Sequence, residues 1–205
     1  AWTSEVATMD IASAARALQT RVLNPDMKRS SHAVPLVEAE DAECSNAASQ
    51  GEPMGQASRR QSWSRYWASG ALHSCVTSYH ENYAGTLGQG WLDAMGRLTR
   101  GARVLDLATG NGSLPKLAVD HLSELELEFD AVDLAELRPT WCQALGAEQR
   151  ARLRFHSGIA AEQLPFPAEC FDMVISQFGI EYSNRRQSHP ESVRVLKSGG
   201  KWSAV

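Results

Sequence analysis

Residues 103–112 read Arg-Val-Leu-Asp-Leu-Ala-Thr-Gly-Asn-Gly, which predicts a buried β-strand ending in an acid and a glycine-rich turn. The apolar strand begins at Val104, and Asp106 interrupts it. Glycine tolerates positive φ and leaves room for a close approach to the backbone. We therefore expect Gly110 and Gly112 to let the chain pass close to a ligand.

A helix is predicted directly after this turn, from Ser113 to Leu122, with apolar residues near helical spacing. Pro115 falls in its first turn, where a missing N–H is tolerated. The start of such a helix directs unsatisfied N–H groups and a partial positive charge toward a ligand. A second strand, at about residues 125–134, contains Asp133. This order of parts is typical of a nucleotide-binding site.

Two kinds of nucleotide-binding turn differ in detail. The dinucleotide fingerprint G-x-G-x-x-G/A needs a third small residue, but Pro115 occupies that position and Asp106 adds an acid that the fingerprint lacks. The stretch resembles instead motif I, D/E-x-G-x-G-x-G, of the class I S-adenosylmethionine-dependent methyltransferases. Residues 106–112 match this motif, with Ala108 in place of its first glycine.

Further matches to that family follow in order along the chain. Asp133 lies 27 residues after Asp106, where the family keeps an acid for the ribose hydroxyls; a carboxylate can accept hydrogen bonds from both hydroxyls of a diol. Residues 152–176 resemble the family stretch G-D-A…L-P-F…F-D-x-V, and residues 194–201 resemble its R-V-L-K-P-G-G turn. The resemblance covers roughly residues 60–205. It implies a Rossmann-like α/β fold, with a mostly parallel sheet and helices on both faces.

The resemblance also implies S-adenosylmethionine as cofactor. Gly110 and Gly112 are expected against its methionine and ribose portion, and Asp133 at the ribose. Asp106 is expected either to order the turn or to accept from the amino group. The full predicted cofactor set is Asp106, Ala108, Thr109, Gly110, Asn111, Gly112, Asp133, Leu134, Ile159, Ala160, Ser176, Gln177 and Tyr83.

Three of these residues have particular expected places. Ile159 stands where related enzymes carry an acid for the adenine amine, so backbone groups near Ile159 and Ala160 could make that contact instead. Leu134 should add an apolar wall. Tyr83 is expected near the methionine end.

Candidate catalytic residues are Glu181, in the segment after the fourth strand, and His73, either of which could remove a proton. Glu181 could equally be an exposed residue at a helix start. The segment after the fourth strand lacks the N-P-P-Y type motif of enzymes that methylate base or amide nitrogens, which argues against DNA as substrate. Trp63, Trp67 and Trp91 either form a water-excluding lid or pack helices on the sheet.

Composition narrows the class of protein. The chain has 205 residues, is 43% hydrophobic and carries a net charge of −4, which is typical of a soluble globular protein without a nucleic-acid partner. Its four cysteines are scattered, with no metal-ligand spacing, so we expect reduced thiols and no metal site. No apolar run is long enough to span a bilayer, and we expect a cytoplasmic protein.

Three regions are predicted. Residues 1–60 hold an N-terminal helix, at residues 4–22, and a disordered linker; residues 61–100 form a helical lid segment; residues 101–205 form the methyltransferase domain. Because the fifth strand begins at about Lys201, close to the last residue, we expect a truncated domain whose fifth strand is an uncovered edge.

The expected function is transfer of a methyl group to an O, C or N atom of a small molecule by direct displacement. The alternatives are a non-catalytic relative that binds cofactor or partner and, more remotely, an NAD-dependent oxidoreductase.

Overall fold

A computed structural model describes residues 7–10, by their backbone, and residues 55–205. Its six strands are β1 (Ala7–Asp10), β2 (Arg103–Leu107), β3 (Glu128–Asp133), β4 (Leu153–Ser157), β5 (Phe171–Ser176) and β6 (Leu196–Ala204). Its helices are α1 (Gln56–Ala68), α2 (Gly85–Met95), α3 (Ser113–His121), α4 (Ala147–Ala151) and α5 (Arg185–Val195). Short 3₁₀ helices lie at Ser123–Leu125, Thr140–Ala144 and Ile180–Tyr182.

The strands form one sheet in the order β1-β6-β5-β2-β3-β4. Strands β2 to β6 run parallel to one another, and β1 pairs antiparallel with β6. From β2 the chain moves outward to β3 and β4, then returns to place β5 on the other side of β2. The strand order therefore reverses between β2 and β5, and in open α/β sheets ligands bind at the carboxyl ends of the strands at such a point.

Both faces of the sheet are covered by helices, as predicted for a Rossmann-like fold. On one face, α2 and α3 bury Trp91, Met95 and Leu117 against alternate residues of the strands, such as Val104 and Phe129. On the other face, Val195 at the end of α5 packs with the opposite set of strand residues, which includes Leu105, Leu107, Val174 and Leu196. This alternation follows from the period of two in a strand, with each face facing its own apolar layer.

The predicted uncovered edge at the fifth strand is wrong. Strand β6 spans Leu196–Ala204 and lies between β5 and β1, with Met9 opposite Trp202 and Ala7 opposite Ala204. The pairing with β5 shifts register between Phe171 and Met173, where Gly199 adopts a φ of +76°. The irregularity falls within residues 194–201, which the sequence predicts to form the turn before the fifth strand. Because β1 supplies the missing hydrogen-bond partners, β6 is an internal strand.

The prediction of one helix over residues 4–22 is wrong at residues 7–10, which form β1. The rest of that helix and most of the predicted linker lie outside the described residues. Helix α1 begins at Gln56, five residues before the predicted start of the helical segment. Among residues 7–10 and 55–205, no helix is both long and apolar enough to cross a bilayer.

Candidate cofactor cleft

A cleft opens at the carboxyl ends of the parallel strands, beneath α1. It contains about 840 Å³ of space between atoms, including solvent space at its mouth. Every parallel strand that leads into it contributes residues, namely Ala108 and Thr109 after β2, Asp133 and Leu134 at β3, Ile159 and Ala160 after β4, and Gln177 and Phe178 after β5. His73, Tyr83, Trp63 and Trp67 also line it. Nine of the predicted residues are thus brought to one cleft, Tyr83 and His73 among them.

The turn after β2 explains the motif glycines. Ala108, Gly110 and Gly112 have φ values of +54°, +56° and +84°. Residues other than glycine rarely adopt this left-handed backbone conformation. Ala108 therefore carries backbone strain at the position where the family motif has its first glycine. A Cβ on Gly179, in the loop after β5, would overlap the Ala108 methyl group.

The two motif glycines make room for aromatic rings of the chain itself. A Cβ on Gly110 would lie 2.7 Å from the Trp67 ring, and one on Gly112 would lie 2.7 Å from Phe155. Neither glycine lines the cleft among the described residues. The expectation that the glycines leave space for a ligand therefore needs correction, since Trp67 and Phe155 occupy that space.

Asp106 and Asp133 have different tasks. Asp106 is buried and does not line the cleft; its Oδ2 accepts a hydrogen bond from Thr109 Oγ1 at 2.5 Å, which ties the turn to the strand end. Burial, with a smaller contribution from the nearby Asp133 charge, raises the pKa of Asp106 to about 7. Of its two predicted roles, this geometry favours ordering the turn.

Asp133 lines the cleft at the end of β3. Its Oδ2 accepts from the Gly110 amide at 2.9 Å, and its Oδ1 accepts from the Ala135 amide at 2.8 Å. Burial raises the pKa of the Asp133 carboxyl, and both backbone donors oppose that rise. Each carboxylate oxygen has a further lone pair, so the carboxyl is oriented and still able to accept from a diol.

Asn111 and Ser176 are engaged within the protein. Asn111 Nδ2 donates to the carbonyls of Trp67 (3.0 Å) and Ala71 (2.7 Å), and its Oδ1 accepts from the Arg138 amide. Ser176 Oγ donates to the Leu107 carbonyl at 2.9 Å and accepts from the Ile180 amide. Neither side chain lines the cleft. Asn111 holds the end of α1 in place, and Ser176 holds the loop after β5. The structure gives no support to the predicted contact of either side chain with a cofactor.

Leu134, Ile159 and Ala160, the residues predicted to border the adenine, line one end of the cleft. The Ile159 amide donates to the Asp133 carbonyl at 2.9 Å, so this N–H is already engaged. An adenine contact through that amide is therefore disfavoured, and the Ile159 side chain is left as an apolar wall.

Helix α1 spans the mouth of the cleft. On one side, Arg60 pairs with Glu136 at 2.7 Å, and Ser64 Oγ accepts from the Glu136 amide at 2.9 Å. On the other side, Arg59 donates to the Tyr182 carbonyl. The rings of Trp63 and Trp67 stack at 5.5 Å on its inner face, whereas Trp91 is fully buried in the α2 layer. Trp63 and Trp67 thus cover the cleft, and Trp91 packs on the sheet.

Each candidate base has an environment that argues against proton removal. His73 is 2% exposed and its ring stacks on Tyr83 at 4.7 Å. Its Nδ1 accepts from the Cys75 amide at 3.2 Å, so the proton of the neutral ring lies on Nε2. Burial lowers the pKa of His73. The ring is therefore neutral and presents a donor.

Glu181 is exposed, lies in the 3₁₀ helix after β5 and does not line the cleft. Partial desolvation raises the pKa of its carboxyl. The position fits the predicted alternative of an exposed residue at a helix start better than a base.

Three cleft-lining residues in the described part of the chain carry buried donors that the sequence does not reveal as unpaired, and Arg59 Nε is one of them. Trp67 Nε1 and Gln177 Nε2 are buried and have no hydrogen-bond partner among the described residues. Gln177 Oε1 accepts from the Trp91 indole N–H. No local pattern identifies such atoms, because they are recognised only by the partners they lack. Within the same part of the chain, no group of three His, Cys, Asp or Glu side chains is placed to hold a metal ion.

Comparison with known proteins agrees with this fold and cleft. Residues 104–200 match the family model described as "Methyltransferase domain". The chain is 34% identical over 111 residues to a ubiquinone/menaquinone biosynthesis C-methyltransferase of Geobacter sulfurreducens, covering 51% of this chain and 41% of that protein. It is 31% identical over 105 residues to an uncharacterised methyltransferase of Bacillus subtilis, covering 50% and 40%. The chain thus aligns with less than half the length of these relatives.

A solved structure of Haemonchus contortus phosphoethanolamine N-methyltransferase 2, in complex with S-adenosyl-L-methionine, superposes with a TM-score of 0.51 at 25% identity. The match covers 60% of this chain and 29% of that one. With the ordered motifs and the sheet order, these findings support a relationship of residues 104–200 to the class I S-adenosylmethionine-dependent methyltransferase superfamily.

The cleft fits the cofactor that this superfamily uses. Asp133 offers carboxylate lone pairs at a strand end, and the orphaned donors of Trp67 and Gln177 need acceptors. An S-adenosyl amino acid carries both a ribose diol and a carboxylate, so it can satisfy both requirements.

Proposed function

We propose that this protein transfers a methyl group from S-adenosylmethionine to an O, C or N atom of a small molecule by direct displacement. The observation that carries the proposal is Asp133, an oriented carboxylate that lines the cleft beside the point where the strand order reverses. The residues that line the cleft act as a binding and aligning surface.

In this proposal Asp133 binds the ribose hydroxyls, and Leu134, Ile159 and Ala160 enclose the adenine ring. Ala108, Thr109 and Tyr83 lie on the side toward β2 and α2 and border the methionine portion. Asp106, Gly110, Asn111 and Gly112 shape the turn rather than lining the cleft. The cofactor supplies an electrophilic methyl group on a sulfonium.

The chain's own contribution is alignment and exclusion of water. Holding two reactants in the productive geometry supplies about 7–11 kcal/mol of the barrier, and a closed site strengthens the electrostatic interactions inside it. Helix α1 covers the cleft with Trp63 and Trp67. A small acceptor enclosed beneath this helix is consistent with those contacts.

The described cleft offers donors where a general base was expected, since His73 presents Nε2–H and Tyr83 stays protonated. Burial raises the pKa of Tyr83 far above its usual range. We therefore propose that the methyl acceptor reaches the cleft already nucleophilic, or loses its proton to solvent, rather than to His73 or Glu181.

Calorimetry tests the cofactor half of the proposal. S-adenosylmethionine and S-adenosylhomocysteine should bind, NAD should not, and Asp133→Asn should weaken both adenosyl ligands. Binding of NAD alone would contradict the proposal. Transfer is tested with methyl-labelled S-adenosylmethionine and a panel of phenols, carboxylic acids, amines and carbon acids. Cofactor binding without any transfer across the panel would favour the alternative of a non-catalytic relative.

A further inference from the structure

Three of the described residues that line the cleft, Arg59, Trp67 and Gln177, carry a buried donor without an acceptor, and Trp67 and Gln177 are the two buried residues among them. Trp67 is 6% exposed and Gln177 is 7% exposed, and both line the cleft. Trp67 Nε1 and Gln177 Nε2 find no partner among the described residues. Leaving a buried donor unsatisfied destabilises the folded protein, and native structures nearly always supply a partner. An acceptor on a bound ligand would relieve both costs at one site.

The orientation of the Gln177 amide follows from chemistry. The Trp91 indole N–H is a donor only, and it points at Gln177 Oε1. Trp91 is fully buried in the core between α2 and the sheet, so its direction is set by packing. The amide therefore turns its oxygen to Trp91, which leaves its NH₂ group, on a residue that lines the cleft, without a partner among the described residues.

The strand order shows which part of a cofactor lies near Gln177. Along the carboxyl edge the order is β5, β2, β3, β4, with Gln177 after β5, Asp133 at the end of β3 and Ile159 after β4. If Asp133 binds the ribose and Ile159 borders the adenine, the amino-acid portion extends toward β2 and β5. That portion carries a sulfonium, an ammonium and a carboxylate, and only the carboxylate accepts hydrogen bonds.

We propose that Gln177 Nε2–H and Trp67 Nε1–H bind the carboxylate of the methionine portion of the cofactor, and that Trp91 is the positioning residue for the Gln177 amide. The inference rests on the proposed function. Because Trp67 belongs to α1 and Gln177 follows β5, the carboxylate links the helix over the cleft to the sheet beneath it. A cofactor that lacks the carboxylate would leave both donors unsatisfied.

The test compares two cofactors that differ only at this group, S-adenosylmethionine and its decarboxylated form, by calorimetry on the full chain. Gln177→Leu should bind S-adenosylmethionine about 10- to 100-fold more weakly, the range for a hydrogen bond to a charged group. Gln177→Glu keeps an oxygen for Trp91 but places an acceptor against the carboxylate, so its loss should be larger. Trp67→Phe should resemble Gln177→Leu, and Trp91→Phe should show a smaller loss. Binding of the decarboxylated cofactor should be unchanged in the Gln177 variants.

Glu162→Gln is the matched control, since Glu162 lines the same cleft and its carboxylate is already bound by the Asn184 backbone amide. It should leave both affinities unchanged. Thermal unfolding of each variant identifies losses that come from misfolding, which would weaken both cofactors equally. Equal weakening of both cofactors in folded Gln177 variants, or no weakening of either, would overturn the inference while leaving the proposed function standing. Failure of the unaltered protein to bind S-adenosylmethionine would overturn both.

Discussion

The methyl group of Ala108 occupies the space that a side chain on Gly179 would need. Ala108 has a φ of +54°, and a Cβ on Gly179 would overlap the Ala108 Cβ. The strained alanine of the turn after β2 is therefore accommodated by a glycine in the loop after β5. Two positions 71 residues apart in sequence are coupled by one contact at the floor of the cleft.

This coupling predicts the outcome of a double-mutant cycle. Gly179→Ala alone should destabilise the protein by about 1–3 kcal/mol, because overpacking forces the two loops apart. Ala108→Gly should be near neutral, since the relief of strain at positive φ offsets the extra freedom of glycine in the unfolded chain. In the double variant the Gly179→Ala cost should fall by at least about 0.5 kcal/mol. Urea unfolding measures all four corners, and strictly additive costs would show that the contact carries no energy.

The raised pKa of Asp106 predicts how stability varies with pH. The unfolded carboxyl has a pKa of 3.8 and the folded one about 7, so between these values the folded state holds a proton that the unfolded state has lost. Stability from this group is therefore complete below about pH 4 and is lost as pH rises through 7. Asp106→Asn should raise stability by roughly 2–4 kcal/mol at pH 8, and much less at pH 4.

Asp172→Asn gives the opposite sign and serves as the comparison. Interactions with Lys197, the Arg103 amide and Arg103 outweigh partial burial and lower the pKa of Asp172. Its stabilising effect is present at neutral pH and is lost in acid. Chemical denaturation should therefore show Asp172→Asn as destabilising at both pH 4 and pH 8, because the folded carboxyl is ionised at both, and the cost should disappear only below about pH 3. A gain of stability by Asp106→Asn at pH 4 as large as that at pH 8 would contradict the assignment.

Gly110→Ala should destabilise the protein through two separable effects. The residue would be held at a φ of +56°, and its Cβ would lie 2.7 Å from the Trp67 ring. Gly101→Ala is the matched control, because Gly101 has a φ of +75° with nothing within 4 Å of an added Cβ. The control should cost about 1 kcal/mol from backbone strain alone. Urea unfolding should show a larger cost for Gly110→Ala, and equal costs would mean that Trp67 moves freely.

Asp133→Ala should weaken S-adenosylmethionine binding by about 1.5–3 kcal/mol, the scale of hydrogen bonds to a charged group. The variant also removes the acceptor of the Gly110 and Ala135 amides, so its stability must be measured alongside. Glu162→Gln again provides a cleft-lining control. Calorimetry that finds full affinity in a folded Asp133→Ala protein would remove Asp133 from the ribose site.

Local sequence determined the positions of the parallel strands and of the turn after β2. The apolar runs around Val104, Phe129 and Val174 define strands because a buried parallel strand needs apolar residues on both faces. The spacing of Asp106, Gly110 and Asp133 predicted the glycine turn after β2 and the carboxylate at the end of β3, since positive φ and strand-end carboxylates are local requirements.

Tertiary structure decided what no local pattern encodes. Strand β1 pairs with β6 although the two strands lie at opposite ends of the sequence. The residues near Lys201 therefore do not show whether β6 is an edge strand or an internal one. Trp67 covers Gly110, Trp91 orients Gln177, and the Cys75 amide sets the His73 tautomer. Residue type determines which hydrogen bonds a side chain is able to make. Which of them it makes depends on neighbours that only folding brings within 3 Å or so, and that is why the sequence predicted Gln177 for the site but not the unpaired state of its amide.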